Sequence, residues 1–223
     1  MSFKQTPLYT FLIDQKKGSP IPIPPTIPSS QSGTLLLAGY DFVRYNGTFS
    51  SLNITHILNC AVEIDVPDDV KSITYLKCPF LDHPNEDILR KLSEALDFIK
   101  MALKSNNTLV VHCNHGISRS TSIVAAFLMQ SGKLSMQKAL AIIKKEHPRS
   151  CPNPGFQKQL EWFGAMDYSV DPRYPPYKKW KRELHTPFSI QNNLPKLWEQ
   201  EYIRRKKTTC IACADHEMYV ELM

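Results

Sequence analysis

Residues 109–129 read LVVHCNHGISRSTSIVAAFLM. The apolar run Leu109-Val110-Val111 stops abruptly at His112-Cys113. From Ser120 a helical pattern begins, with Ile123, Val124, Phe127 and Leu128 at three- and four-residue spacing. A strand, a tight loop and a helix N-terminus in that order aim backbone N–H groups at an anion. The loop between them opens on Cys113 and closes on Arg119.

Each residue type in the loop has a chemical reason. A cysteine in the field of a helix N-terminus and of successive loop amides favours thiolate over thiol, which makes Cys113 a candidate nucleophile. The amides of Asn114, His115, Gly116, Ile117, Ser118 and Arg119 can cradle phosphate oxygens. The Arg119 guanidinium adds a planar, two-pronged donor that a lysine cannot imitate. Gly116 permits a turn that a Cβ would resist. His112 can hydrogen-bond nearby carbonyls and hold the loop in shape, and Ser120 can donate its hydroxyl to the sulfur when it becomes a leaving group. His115 either faces solvent at the rim or contacts substrate, adding charge below neutral pH. A bare cysteine and arginine at this spacing is a weak signal. The preceding His, the mid-loop Gly, the following Ser and the strand–helix frame make it specific.

With those features, VHCNHGISRS resembles the cysteine-based protein tyrosine phosphatase superfamily, and within it the dual-specificity phosphatases. The similarity extends upstream through LLLAGYD, ITHILNCA and YLKCPFLDHPNEDI, and downstream through AAFLMQSGKLSMQKALAIIKKEHPRSCPNPGFQKQLEWF. It spans residues 33–166, with His115 standing where relatives more often carry a small residue. The resemblance implies an α/β fold, a central and mainly parallel sheet with helices on both faces. It implies a metal-independent, cofactor-free phosphatase acting on phosphotyrosine and on phosphoserine or phosphothreonine. It places the general acid at Asp82, in the Phe80-Leu81-Asp82-His83-Pro84 loop, which reads as mobile. Asp87 is the rival acid, although it sits where a helix N-cap is wanted. The resemblance also lets Asn153, in PNPGF, brace the pocket loop; a plain turn residue is the other reading.

The pattern of elements agrees with an α/β chain. Residues 34–38, 54–59, 73–77 and 109–112 read as strands, short and rich in Leu, Ile, Val and Thr. Residues 41–45 start a short helix. Residues 87–104 read as one long amphipathic helix with Ile88, Leu92, Ala95, Leu96, Ile99 and Leu103 on one face. Two further helices follow at 135–147 and 156–166. Alternating strands and helices imply a parallel sheet covered on both sides.

Around the catalytic region of 33–168 lie two extensions. Residues 1–32 hold a run from Pro20 to Pro28 in which five of nine residues are proline, suited to a spacer or to a proline-recognition partner. An apolar patch at 8–13 precedes it and either adds an edge strand or packs on the domain. Residues 169–223 read as a basic tail. Pro172, Pro175 and Pro176 break the helical pattern, and the clusters Lys178-Lys179-Trp180-Lys181-Arg182 and Arg204-Arg205-Lys206-Lys207 follow. Such clusters suit a solvated tail, docking to an acidic groove on a protein kinase, or a nuclear-import patch. Cys210, Cys213 and His216 have metal-like spacing but make only three ligands, short of a closed zinc site.

The chain has 223 residues, enough for one domain with a full core. A net charge of +6 suits acidic partners such as phosphoproteins and is no nucleic-acid signature. Six cysteines without a dense framework point to a reducing compartment. Cys60, Cys78 and Cys151 read as core thiols, any of which could protect Cys113 as a disulfide on oxidation. No apolar stretch of spanning length and no leader is visible, so no membrane insertion and a cytoplasmic or nuclear location are expected. Two other readings stay open. The same chemistry could act on an RNA 5′-triphosphate, a phosphoinositide or a phosphorylated glucan. Alternatively, the chain could be a scaffold that binds phosphoproteins without turnover.

Overall fold

The structure is a computed structural model that describes residues 19–22, 33–44, 52–66, 72–104 and 106–184. The apolar patch at 8–13, the cluster Arg204-Arg205-Lys206-Lys207 and the Cys210, Cys213 and His216 set lie outside the described residues.

Five strands form one sheet. β1 is Ser19–Pro20, β2 Thr34–Gly39, β3 Ile54–Ala61, β4 Thr74–Phe80 and β5 Thr108–Cys113, and they lie in the order β1-β2-β5-β3-β4. β2, β5, β3 and β4 run parallel, and β1 joins the edge antiparallel. The expected α/β architecture is therefore borne out. Successive side chains alternate across the sheet. Leu35, Leu37, Leu109, Val111 and Cys113 enter the larger core, while Leu36, Ala38 and Val110 enter a smaller one on the opposite face. The second core is closed by Phe42 and Val43 of α1, Tyr40–Arg44.

The larger face carries α2 (Leu92–Ala102), α3 (Arg119–Gly132), α4 (Met136–Glu146), α5 (Pro154–Ala165) and α6 (Pro175–Leu184). α3 is buried along most of its length, as a helix between a sheet and two other helices must be. It ends where Lys133 turns left-handed at φ 49°. α4 and α5 start on side-chain caps, Ser135 accepting from the Lys138 amide at 3.3 Å and Asn153 from the Phe156 amide at 3.0 Å.

Three expectations change. The long helix at 87–104 is a 3-10 turn, Leu89–Lys91, followed by α2. One long-range bond and one local bond mark that start: Gln159 Oε1 accepts from the Ile88 amide at 2.9 Å, and Asp87 Oδ1 from the Arg90 amide at 3.2 Å. The 1–32 extension is partly built into the fold, because β1 pairs with β2 and the buried Ile21 donates its amide to Leu35 O at 2.9 Å. The tail expected from 169 begins as structure. Pro175 and Pro176 open α6 rather than breaking it, since a first-turn proline lacks only a donor that no helix would use. α6 anchors through Tyr177, 2% exposed, and packs Trp180 edge-on against Trp162 of α5 at 5.7 Å between ring centroids.

Candidate active site

β5 ends at Cys113 and α3 begins at Arg119, so the loop sits at the carboxyl end of the sheet, where parallel α/β folds place their ligands. Its carbonyls are bonded outward. Asn114 O accepts from the Tyr40 amide (2.8 Å), Gly116 O from Thr121 Oγ1 (3.2 Å), Ile117 O from the Cys151 amide (2.8 Å) and Ser118 O from the Ser122 amide (2.8 Å). In a trans peptide the N–H opposes the C=O. The amides following these carbonyls therefore turn the other way, into a common cup. Gly116 adopts φ 69°, and a Cβ there would meet the Ala38 carbonyl at 2.8 Å. No other residue fits that turn without strain.

Cys113 lies at the foot of the cup, 1% exposed, and Ser120 Oγ donates to its sulfur at 3.2 Å. His112 is fully buried beneath, its ring stacked near Tyr40 at 6.5 Å, and neither ring nitrogen has a hydrogen-bond partner. Burial is the main cause that pushes its pKa down to about 4, opposed by the Cys113 backbone and helped by the Arg119 charge. His112 is thus held neutral beneath the loop, its ring near Tyr40. His115 is exposed at the rim.

Arg119 is held end-on by a residue the sequence reading did not single out. Glu63, just past β3, accepts from Nη1 at 2.6 Å and from Nη2 at 2.7 Å, and Phe80 O accepts from Nη1 at 3.2 Å. Burial works against the guanidinium charge, but these bonds and the neighbouring acidic groups outweigh it and hold the Arg119 pKa up. Burial likewise pushes Glu63 up, and the Arg119 hydrogen bonds overcome it, with a further contribution from the nearby His115, leaving the carboxyl below its usual value. Nε is buried and makes no hydrogen bond. An arginine buried this deeply requires a carboxylate, and Glu63 supplies it from the carboxyl end of β3.

Asp82 is fixed by two residues distant in the chain. Its Oδ1 accepts from Ser118 Oγ at 2.7 Å and from Asn153 Nδ2 at 3.1 Å, while Oδ2 lies 4.0 Å from Arg119 Nε. Ser118 Oγ in turn accepts from the Asn153 amide at 3.1 Å. Ser118 is the N-cap position of α3 but makes no side-chain cap, because its hydroxyl is committed to Asp82. Asn153 thus caps α5, braces Asp82 and ties down Ser118.

The acid loop, expected to be mobile, is stitched to α5. Gln159 bridges the Ile88 amide (2.9 Å) and Glu86 O (2.8 Å). Gly155 lies so close under Pro84 that a Cβ would collide with the Pro84 carbonyl. Asp87 faces away: Tyr177 Oη donates to both its oxygens at 2.9 Å, and Lys181 Nζ lies at 3.3 Å.

Cys60 and Cys78 are free buried thiols. Burial raises both pKa values, that of Cys78 to about 12, which leaves them unreactive. Cys151 departs from the core-thiol reading, being disulfide-bonded. Among the described residues no group of three or more His, Cys, Asp or Glu has a metal-binding arrangement, and no helix is long and apolar enough to cross a membrane.

The dual specificity phosphatase catalytic-domain family matches residues 39–165. Dual specificity protein phosphatase 12 of Mus musculus is 31% identical over 184 residues, 78% of this chain and 53% of its own. Dual specificity protein phosphatase 19 of Mus musculus is 36% identical over 129 residues, 58% of each chain. Among solved structures, DUSP15 superposes with a TM-score of 0.55 at 32% identity, covering 70% of this chain and 93% of that one. The chain spans little more than half the length of these two curated relatives. The resemblance carried by VHCNHGISRS and its flanking motifs is borne out: the chain belongs to the dual specificity phosphatase family of the protein tyrosine phosphatase superfamily.

Proposed function

We propose that the protein is a phosphatase of phosphotyrosine and of phosphoserine or phosphothreonine in proteins, working through a cysteinyl-phosphate intermediate. The observation that carries this reading is the asymmetric hold on Asp82. Oδ1 accepts from Ser118 and Asn153 while Oδ2 lies 4.0 Å from Arg119 Nε, so the carboxyl is held beside the arginine that closes the Cys113 loop. The phosphoryl group sits in the loop amides, with its equatorial oxygens on the Arg119 edge that includes Nε. The Cys113 thiolate attacks phosphorus in line, and the P–O bond to the substrate side chain breaks as Asp82 protonates the departing oxygen. Asp82, now ionised, takes a proton from water attacking the cysteinyl phosphate. The Ser120 hydroxyl at 3.2 Å stabilises the departing thiolate, and inorganic phosphate leaves.

Phosphoproteins are the proposed partners. Exposed Lys178, Lys179 and Arg182 of α6 supply a basic surface for docking an acidic kinase groove. A cytoplasmic or nuclear setting, where Cys113 stays reduced, fits the same chemistry.

The test is a panel of phosphotyrosine and phosphothreonine peptides, an aryl phosphate, a phosphoinositide and an RNA 5′-triphosphate, each with wild type and Cys113→Ser and without metal. Wild type hydrolyses the peptides and the variant hydrolyses nothing while still binding them, because a serine hydroxyl stays protonated. Turnover by Cys113→Ser, or activity confined to the lipid or RNA, removes the proposal.

A further inference from the structure

Three elements meet at the Gly116 turn of the cup. Gly116 stands over β2, where a Cβ on it would meet the Ala38 carbonyl and the Gly39 amide. Residues 147–151, which lead from α4 toward α5, pass beside the turn. The Cys151 amide donates to Ile117 O at 2.8 Å, and Thr121 Oγ1 lies 3.2 Å from Gly116 O and 3.4 Å from Ser150 Oγ. The third element is β1, whose Ser19 pairs with Leu37 at the edge of the sheet.

His147 joins these elements. It follows α4 directly, with its amide on Ile143 O at 2.7 Å and its carbonyl taken by the Ser150 amide at 2.9 Å, so its backbone is fixed on both sides. Its Nδ1 lies 2.8 Å from Ser19 Oγ, and its Nε2 is buried and makes no hydrogen bond. Burial is the main cause that holds the ring's pKa below the usual value; Arg149 lowers it further and the Gly116 backbone raises it. A backbone group that favours the charged imidazole is an acceptor, so the Gly116 carbonyl is what faces the ring. The ring at neutral pH carries a single N–H. With Ser19 Oγ donating to Nδ1, that proton sits on Nε2, as a buried donor beside a carbonyl. A buried donor left unpaired costs stability, so its presence asks for a reason.

The reason lies in what the Gly116 carbonyl controls. The Ile117 amide leaves the same peptide in the opposite direction, into the cup. A phosphate oxygen drawing on that N–H polarises the peptide and makes its carbonyl a stronger acceptor. Thr121 serves one lone pair of the carbonyl, and a carbonyl has two.

We propose that His147 is a positioning residue for the phosphate cup: held at Nδ1 by Ser19, it donates from Nε2 to the Gly116 carbonyl when phosphate binds, and so keeps the Ile117 amide on a phosphate oxygen. This relay makes the edge strand β1 part of the site, although neither Ser19 nor His147 touches substrate. The proposal rests on the reading of the loop as a phosphate cup.

The experiment measures calorimetric binding of vanadate to the full chain, and kcat/KM for an aryl phosphate, in wild type and four variants. His147→Asn keeps an amide near the Nδ1 position only, whereas His147→Gln places one near Nε2. His147→Ala and His147→Asn should each weaken vanadate about tenfold, the worth of one hydrogen bond, and lower kcat/KM by as much. His147→Gln should return to within about threefold of wild type. Ser19→Ala should cost about threefold in the wild type and nothing further in His147→Ala, since the two act as one unit. Binding is read well below each variant's melting temperature, so lost stability does not enter. The Asn and Gln pair, and Ser19→Ala at a half-buried edge position, keep the test independent of how His147→Ala folds. Unchanged vanadate affinity in His147→Asn overturns the proposal. So does a His147→Gln as weak as His147→Asn, which reduces His147 to a structural cap of α4, and so does a Ser19→Ala loss that adds in full to His147→Ala. A wild type that binds vanadate but hydrolyses no phosphopeptide removes the phosphatase reading instead, and the binding comparison still decides the role of His147.

Discussion

Asp82 and Asp87 lie in the same loop, carry the same chemistry, and are each hydrogen-bonded by elements far along the chain, yet they face opposite tasks. Asp82 is held on one oxygen by Ser118 and Asn153, and its other oxygen is turned toward Arg119. Asp87 has both oxygens covered by the Tyr177 hydroxyl, with Lys181 beside them. Ser118, Asn153 and Arg119 hold Asp82 against the Cys113 loop, whereas Tyr177 and Lys181 make Asp87 a fastener for α6.

The largest effect should come from exchanging their roles. Asp82→Asn is expected to slow phosphothreonine-peptide hydrolysis by ~10²–10⁴, the usual worth of general acid catalysis. An activated aryl phosphate, whose leaving group departs as its anion, should slow far less. Asp87→Asn should leave both rates within a few-fold. Single-turnover phosphoryl transfer measures this before the acid changes role. Equal slowing of both substrates by Asp82→Asn would break the distinction.

His112 sharpens the contrast with a buried group that has no hydrogen-bond partner. Its folded pKa of about 4 lies below the usual 6.5, so the unfolded chain takes up the proton first. Stability therefore falls as pH drops below 6.5, and the loss levels off near 4, amounting to about 3 kcal/mol. Urea midpoints at pH 7 and 4.5 should differ less for His112→Asn than for wild type. An unchanged difference would mean that other groups set the acid limb.

Glu63 extends the comparison to a third carboxylate, one that orients rather than reacts. Glu63→Gln should lower kcat/KM roughly tenfold, about one charge-assisted hydrogen bond, since the Glu63 side of the pair is open to solvent screening. The loss should appear with peptide and aryl phosphate alike, unlike that of Asp82→Asn. The smallest effect belongs to the fastener: Tyr177→Phe should cost about 1 kcal/mol of stability, read in the melting temperature, with aryl phosphate turnover unchanged.

The parts legible in the sequence were those written locally. The strand, loop and helix of 109–129 sit together in the chain, so their periodicity and spacing announce the cup. Asp82 and Asn153 needed the family resemblance. Glu63 escaped because its partner is 56 positions away, and a lone glutamate after a strand looks like any turn residue. α6 escaped for a different reason: two prolines and a dense set of lysines outweigh one apolar face, and only Asp87, 90 positions distant, explains Tyr177.

Gly155 has a kinetic consequence. With Pro84 seated on its backbone and Gln159 stitching the same loop, the segment that carries Asp82 is already docked on α5. An enzyme built this way has no slow ordering event between encounter and chemistry, and an oxyanion such as vanadate should bind in one phase. The cost is selectivity, because a site that is always assembled cannot use closure to reject the wrong phosphate ester. Discrimination must then lie in surfaces next to the cup.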